Sequence, residues 1–136
     1  MYEETVVLEN RLPELVKLQG AVADFGARHG LPQKVVNDIN LVLEETIVNI
    51  IYYAYEDKDG KHEISVRFRV GKGGIILEVE DDGIFFDPLG FPEPDLNSPI
   101  EKRKIGGLGI HLIRKFAKSV SHRRERGKNI LTLTMS

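Results

Sequence analysis

The chain has 136 residues, 41% of them hydrophobic and 29% charged, with a net charge of −2. This composition fits a single domain spanning 1–136 with enough chain to bury a core, and the charge balance argues neither for nor against nucleic acid. The absence of cysteine excludes disulfides, a thiol nucleophile and thiolate metal sites and points to the cytoplasm; the start "MYEETVVLEN" lacks signal-peptide character, and Glu44, Glu45 and Asn49 interrupt the longest apolar stretch well short of a membrane span.

In chain order, "TVVLEN" (5–10) reads as a short strand, after which Asn10 is placed to cap a helix with Pro13 in its first turn. Leu15, Leu18, Val22 and Phe25 recur at helical spacing, and Gly30 ends that helix. A second helix starts near Pro32 and runs through residues 33–57. Val35, Ile39, Val42, Ile47, Ile50 and Ile51 make it apolar over most of its circumference, so it should be deeply buried.

The period then changes to two. In "HEISVRFRV" Ile64, Val66, Phe68 and Val70 point one way and Glu63, Ser65, Arg67 and Arg69 the other. "GKGG" (71–74) turns the chain. The returning strand alternates Ile75, Leu77, Val79 and Asp81 against Ile76, Glu78, Glu80 and Asp82. Parity therefore aims Asp81 inward with the apolar row and sends Asp82 out with the solvent-facing row.

Residues 87–105 contain Pro88, Pro92, Pro94 and Pro99 and end in "KRK". A stretch this long without periodicity reads as a long loop, of the kind that forms a functional lid or is disordered. "GGLGIHLIRKFAKSV" becomes helical, and "SHRRERGKNILTLTM" closes as a second hairpin. Together the elements describe an α+β two-layer sandwich with helices on one face of a mostly antiparallel sheet.

Several side chains are candidates for chemistry. Asn49 is the one strongly polar residue of "TIVNIIYYAY" and is costly to bury unpaired. A backbone group could satisfy it, or its amide oxygen could ligate a hard cation. Glu45, four residues earlier, shares its helical face and is a plausible general base. Asp81 could be a buried acid paired with a basic residue. It could equally accept from an amine on a ligand, with Gly83 letting a flat ring approach the backbone. Gly106, Gly107 and Gly109 open a helix, where backbone amides can face phosphate, and Lys102, Arg103 and Lys104 just before them add positive charge. The four histidines show no metal-ligand spacing, and the basic run 114–128 reads as a solvated strand face rather than a nucleic-acid surface.

An E-x-x-x-N helix, a hairpin ending in D-x-G and a lid closing on G-x-G resembles the ATPase fold shared by gyrase, MutL and the histidine kinases. Within it, "EETIVNIIYYAYED", "DDGIFFDP" and "GGLGIHLIRK" look most like the bacterial anti-sigma-factor serine/threonine kinases of partner-switching pathways. The resemblance implies a Bergerat (GHKL-type) ATP-binding fold, with a mostly antiparallel mixed sheet and ATP lying between sheet and helices. It implies Glu45 as the catalytic base and Asn49 as the Mg2+ ligand. Asp81 would accept from the adenine amino group beside Gly83. Gly106, Gly107 and Gly109 would border the phosphates, which Lys102, Arg103 and Lys104 would reach. Phe86, Asp87 and Pro88 match the family's usual F-D-P, whereas Phe85 stands where a small residue or proline is usual, and Tyr53 where a histidine is common.

The implied function is an anti-sigma factor that phosphorylates an anti-anti-sigma (STAS) protein and can sequester a sigma factor, as a homodimer. The alternatives are a nucleotide-switched binding module without phosphotransfer and, from the basic C-terminal third, a nucleic-acid binder.

Overall fold

The computed structural model describes residues 2–55, 60–85 and 107–135. Strand β1 (Tyr2–Glu9) leads through a 3-10 turn (Leu12–Glu14) into α1 (Leu15–Arg28) and α2 (Gln33–Tyr53). The hairpin β2 (Glu63–Gly71) and β3 (Gly74–Asp81) follows, and then α3 (Gly107–Phe116), β4 (Ser119–Glu125) and β5 (Lys128–Met135). The five strands form one sheet in the order β1-β2-β3-β5-β4, and every pairing is antiparallel. The expected mixed character is therefore absent among the described residues. The closing hairpin inserts its second strand beside β3, so β5 is central and β4 forms an edge.

The helices cover one face. Ile64, Val66 and Phe68 of β2, Leu77 and Val79 of β3, and Leu131 and Leu133 of β5 are buried against Ile39, Val42, Leu43, Ile47 and Ile50 of α2 and Leu18, Val22 and Phe25 of α1. The rings of Phe25 and Phe68 meet with centroids 5.0 Å apart. Burial of this apolar surface is the main favourable term in the fold. The two helices approach closely at Gly26, where a Cβ would stand 2.6 Å from Val36 Cγ2. Gly30, at φ 62°, ends α1 as expected from its freedom in the left-handed region. No helix among the described residues is long and apolar enough to cross a membrane.

Some expectations need correction. The first strand begins at Tyr2, not Thr5, because its pairing with β2 continues to Val70. Asn10 does not cap a helix: its Oδ1 accepts from His62 N at 3.1 Å while its own N–H donates to His62 O at 3.1 Å. The side chain thus ties the exit of β1 to the entry of β2, and Glu14 Oε1 accepts from Glu9 N instead. Helix α2 ends at Tyr53, ahead of the expected Asp57; residues 56–59 lie outside the described residues, as do 86–106. The latter interval contains the lid, the F-D-P stretch, Lys102, Arg103, Lys104 and Gly106.

The outer face of the sheet is less solvated than alternation suggests. Glu78 points outward on β3 yet is only 7% exposed. Arg67 (2.9 Å), Arg123 (3.6 Å) and Arg69 (3.9 Å) surround its carboxylate, and Arg67 also reaches Glu80. Cross-strand neighbours of opposite charge thus pave this face. Glu78→Ala leaves three guanidinium groups short of their shared acceptor and is expected to cost roughly 1–3 kcal/mol in urea denaturation. Glu125→Ala, which removes an exposed partner of Arg123, is expected to stay within about 0.5 kcal/mol. Equal losses in the two variants would rule out a special role for the central carboxylate.

Candidate functional site

Five elements converge on one pocket. Thr46 and Ile50 come from α2, Val79 and Asp81 from β3, Ile113 from α3, His122 from β4, and Asn129 and Leu131 from β5. The aliphatic side chains wall a narrow apolar slot, while Asp81, Asn129, His122 and Thr46 supply polar groups at it. Thr46 Oγ1 donates to Val42 O at 2.7 Å, which satisfies its hydroxyl within the helix.

Asp81 is 3% exposed, as parity requires, while Asp82 is exposed and pairs with His62 at 3.3 Å. Asp81 Oδ1 accepts from Gly83 N at 2.9 Å and from Asn129 Nδ2 at 3.0 Å. Burial pushes the Asp81 carboxyl above the usual range. The bonds from Asn129 and Gly83 oppose that rise, Asp82 adds to it, and Arg124 opposes it.

Gly83 lies at the mouth of a second depression with Ala54, Tyr55, His62, Asp82, Ile84 and Arg124. The need for glycine here comes from the protein itself. A Cβ at position 83 would stand 2.2 Å from Ala54 O, and the next residue's N–H donates to that same carbonyl at 2.8 Å.

On α2, Glu45 and Asn49 lie on the turns that also carry Thr46 and Ile50. Asn49 is 3% exposed, and among the described residues its Nδ2 has no hydrogen-bond partner. A buried amide donor left open in this way is costly unless a ligand or water meets it. Glu45 is half-buried, and burial, followed by the neighbouring charge of Glu44, raises its pKa. Among the described residues no group of three or more His, Cys, Asp or Glu side chains is placed to hold a metal ion. The open Nδ2 is a donor and suits an acceptor such as a phosphate oxygen or water, whereas only the Oδ1 of the same amide could join a cation's shell, with the remaining oxygens coming from a ligand. Gly107 and Gly109 lie in the first turn of α3, which packs on α2.

Asn129, His122 and Arg124 were not among the residues singled out in sequence. Asn129 shares the parity of Leu131, Leu133 and Met135, so the alternation that aimed Asp81 inward also aims Asn129 inward. Its contact with Asp81 follows only from the β3–β5 pairing, in which the two residues are directly opposite.

Over residues 8–135 the sequence matches the family described as Histidine kinase-like ATPase domain. It is 24% identical over 139 residues to the serine-protein kinase RsbW of Bacillus cereus, covering 96% of this chain and 86% of that protein. It is 29% identical over 96 residues to the serine/threonine-protein kinase BtrW of Bordetella bronchiseptica, covering 71% of this chain and 67% of that protein. The fold is similar to the crystal structure of the RsbU and RsbW domains of Rv1364c from Mycobacterium tuberculosis, with a TM-score of 0.69 at 15% identity, covering 99% of this chain and 32% of that longer one. With the family match running through nearly every element described above, the chain belongs to the histidine kinase-like ATPase domain family.

Proposed function

We propose that the protein is an ATP- and Mg2+-dependent serine/threonine kinase that acts as an anti-sigma factor and phosphorylates an anti-anti-sigma (STAS) protein in the cytoplasm. The observation that carries this reading is a buried carboxylate, Asp81, at an apolar slot together with Asn49 on the helix that walls it, whose amide donor is unmet among the described residues and suits a phosphate oxygen. Similarity to serine-protein kinases along most of the chain supports the reaction type.

In this reading Asp81 accepts from the exocyclic amine of adenine while Ile50, Val79, Ile113 and Leu131 flank the ring. Asn49 contributes to the magnesium shell alongside phosphate oxygens. Glu45 orients or deprotonates the serine hydroxyl, and its raised pKa makes it a better proton acceptor than an exposed carboxylate. Gly107 and Gly109 border the phosphates, with Gly106, Lys102, Arg103 and Lys104 as further phosphate contacts. The chemistry is mostly positioning and charge neutralisation. A nucleotide-switched binding module without phosphotransfer is the second reading, and Phe85 favours it. This bulky ring is 64% exposed beside the pocket and meets His122 edge-on at 5.5 Å, a surface suited to a partner.

Asp81→Asn keeps a side-chain oxygen for Gly83 and Asn129 but loses the charge and turns an amide toward the ligand. Its ATP affinity is expected to fall roughly 5- to 150-fold, from a mispairing worth about 1–3 kcal/mol. Asp82→Asn is expected to change affinity little. Stability should move the other way. The folded-state pKa of Asp81 is raised, so its ionised form costs folding free energy at neutral pH, a cost relieved as pH falls through the folded value. Asp81→Asn is therefore expected to be at least as stable as wild type at pH 7. Calorimetric titration and thermal melts read the two effects separately; a larger affinity loss in Asp82→Asn would refute the assignment.

Glu45→Gln is expected to retain nucleotide binding and lose phosphotransfer by around 10²-fold, the lower end of general-base contributions, because such transition states are loose. Asn49→Ala should weaken ATP–Mg2+ binding and transfer together. Mass spectrometry of a STAS protein after incubation with ATP is the measurement. Tight binding of ATP and partner with no phosphate on serine or threonine would overturn the kinase reading and leave the binding switch.

A further inference from the structure

We infer that Asn129 is a positioning residue for base recognition: its amide commits one oxygen of Asp81 to the protein, leaves the other for a ligand's exocyclic amine, and so sets the preference for an amine-bearing base. The inference deepens the ATP reading and rests on it.

The orientation of the Asn129 amide follows from its partners. A guanidinium can only donate, and Arg124 Nη1 lies 3.1 Å from Asn129 Oδ1. A backbone carbonyl can only accept, and Ile84 O lies 2.7 Å from Asn129 Nδ2. His122 Nε2, 3.3 Å from the same Oδ1, fits as a further donor. The Nδ2 group is therefore turned toward Asp81 Oδ1. Asn129 is itself 3% exposed, so water does not readily substitute for these bonds.

At Asp81 both protein donors, Gly83 N and Asn129 Nδ2, meet Oδ1, and among the described residues none meets Oδ2. One oxygen is spent and the other remains an acceptor. The two bonds also favour the ionised carboxyl against burial. Ionisation matters for specificity, because adenine presents an amine where guanine presents a carbonyl. A carboxylate accepts from the first and repels the second, whereas a protonated carboxyl can donate to the second. Among the described residues, the charged and titratable groups around Asp81 are Asp82 just past β3, Arg124 and His122 on β4, and, around a neighbouring depression that Asp81 also lines, Lys61, His62, Glu63, Glu80 and Lys128; the lining residues from α2 and α3, namely Thr46, Ile50 and Ile113, are neutral.

Arg124 completes the arrangement. The Nη1 that holds Asn129 also donates to Gly83 O at 3.0 Å, and its Nη2 donates to Gly127 O at 3.3 Å. One exposed guanidinium thus braces the hairpin tip, the Asn129 amide and the backbone that supplies the other donor to Asp81.

The test is a carboxyl-carbon NMR titration of Asp81 in the full, nucleotide-free chain, with calorimetric ATP and GTP affinities measured beside it. Asn129→Ala is expected to move the Asp81 titration to higher pH and to shrink the ATP-over-GTP preference roughly tenfold near neutral pH, with recovery as pH is raised. Asn129→Asp keeps the size and the Arg124 contact but exchanges the donor for an acceptor, and it should move Asp81 further still. Asp81 titrating at the wild-type pH in a folded Asn129→Ala overturns the inference. Should that variant not fold, an unshifted Asp81 in Asn129→Asp overturns it equally. The titration is read without nucleotide, so a wild-type protein that binds neither ATP nor GTP would sink the kinase reading while leaving the Asn129–Asp81 result to be judged on its own.

Discussion

The carbonyl of Ala54 occupies the space that any side chain at position 83 would need. That close approach docks the end of β3 onto the end of α2, and the bond from Ile84 N to Ala54 O seals it. Much of the site depends on this constraint. With the two ends joined, the turns of α2 that carry Thr46 and Ile50 lie against the inward row of β3, and the pocket forms between them. The same corner gathers the other element ends: His62 stacks on Tyr55 with centroids 4.4 Å apart, pairs with Asp82, donates its N–H to Asn10 Oδ1 and accepts at its carbonyl from Asn10 N. A larger residue at 83 would have to displace backbone rather than a side-chain tip, so glycine here is a packing requirement before it is anything for a ligand.

From that corner the sheet divides its labour by parity. The row facing the helices buries aliphatic side chains and, at its end, the polar pair Asp81 and Asn129. The opposite row carries an ionic lattice centred on Glu78. The two buried carboxylates of β3 are stabilised differently. Glu78 is surrounded by three arginines, whereas Asp81 is held by an amide and a backbone N–H, with Arg124 acting from farther away. Both neutral donors share one oxygen of Asp81, and among the described residues none meets the other, whereas guanidinium groups reach both oxygens of Glu78. Burying the carboxyl of Asp81 with fewer charged partners costs stability, as its raised pKa indicates, and the apolar core offsets that cost.

Local periodicity made most of the elements readable in advance. The helical spacing of α1 and α2, the β2–β3 hairpin, and the inward Asp81 beside the outward Asp82 all follow from patterns within a dozen residues. What escaped was set by partners far away in sequence. Asn10 looked like a helix cap because Asn commonly is one, yet its partner is His62. Glu78 looked solvated because its strand alternates, yet arginines on β2 and β4 cover it. Asn129 was passed over because nothing in "RERGKNIL" says that β5 inserts between β3 and β4. Strand order is a non-local property, and the deciding contacts were those that strand order creates.

Phe85 illustrates how a residue that looks misplaced locally can make sense through such contacts. In sequence it is a bulky ring where a small residue or proline is usual, and it remains largely exposed. Its edge-on contact is with His122, whose Nε2 faces the Asn129 oxygen. The ring therefore lies one step from the amide that holds Asp81, on the side where β4 is the edge strand among the described residues. An aromatic there packs edge-on against the imidazole at the polar end of the pocket. Seen from the pocket, Phe85 belongs with Asn129 and His122 through that one ring contact, while most of its own apolar surface stays exposed.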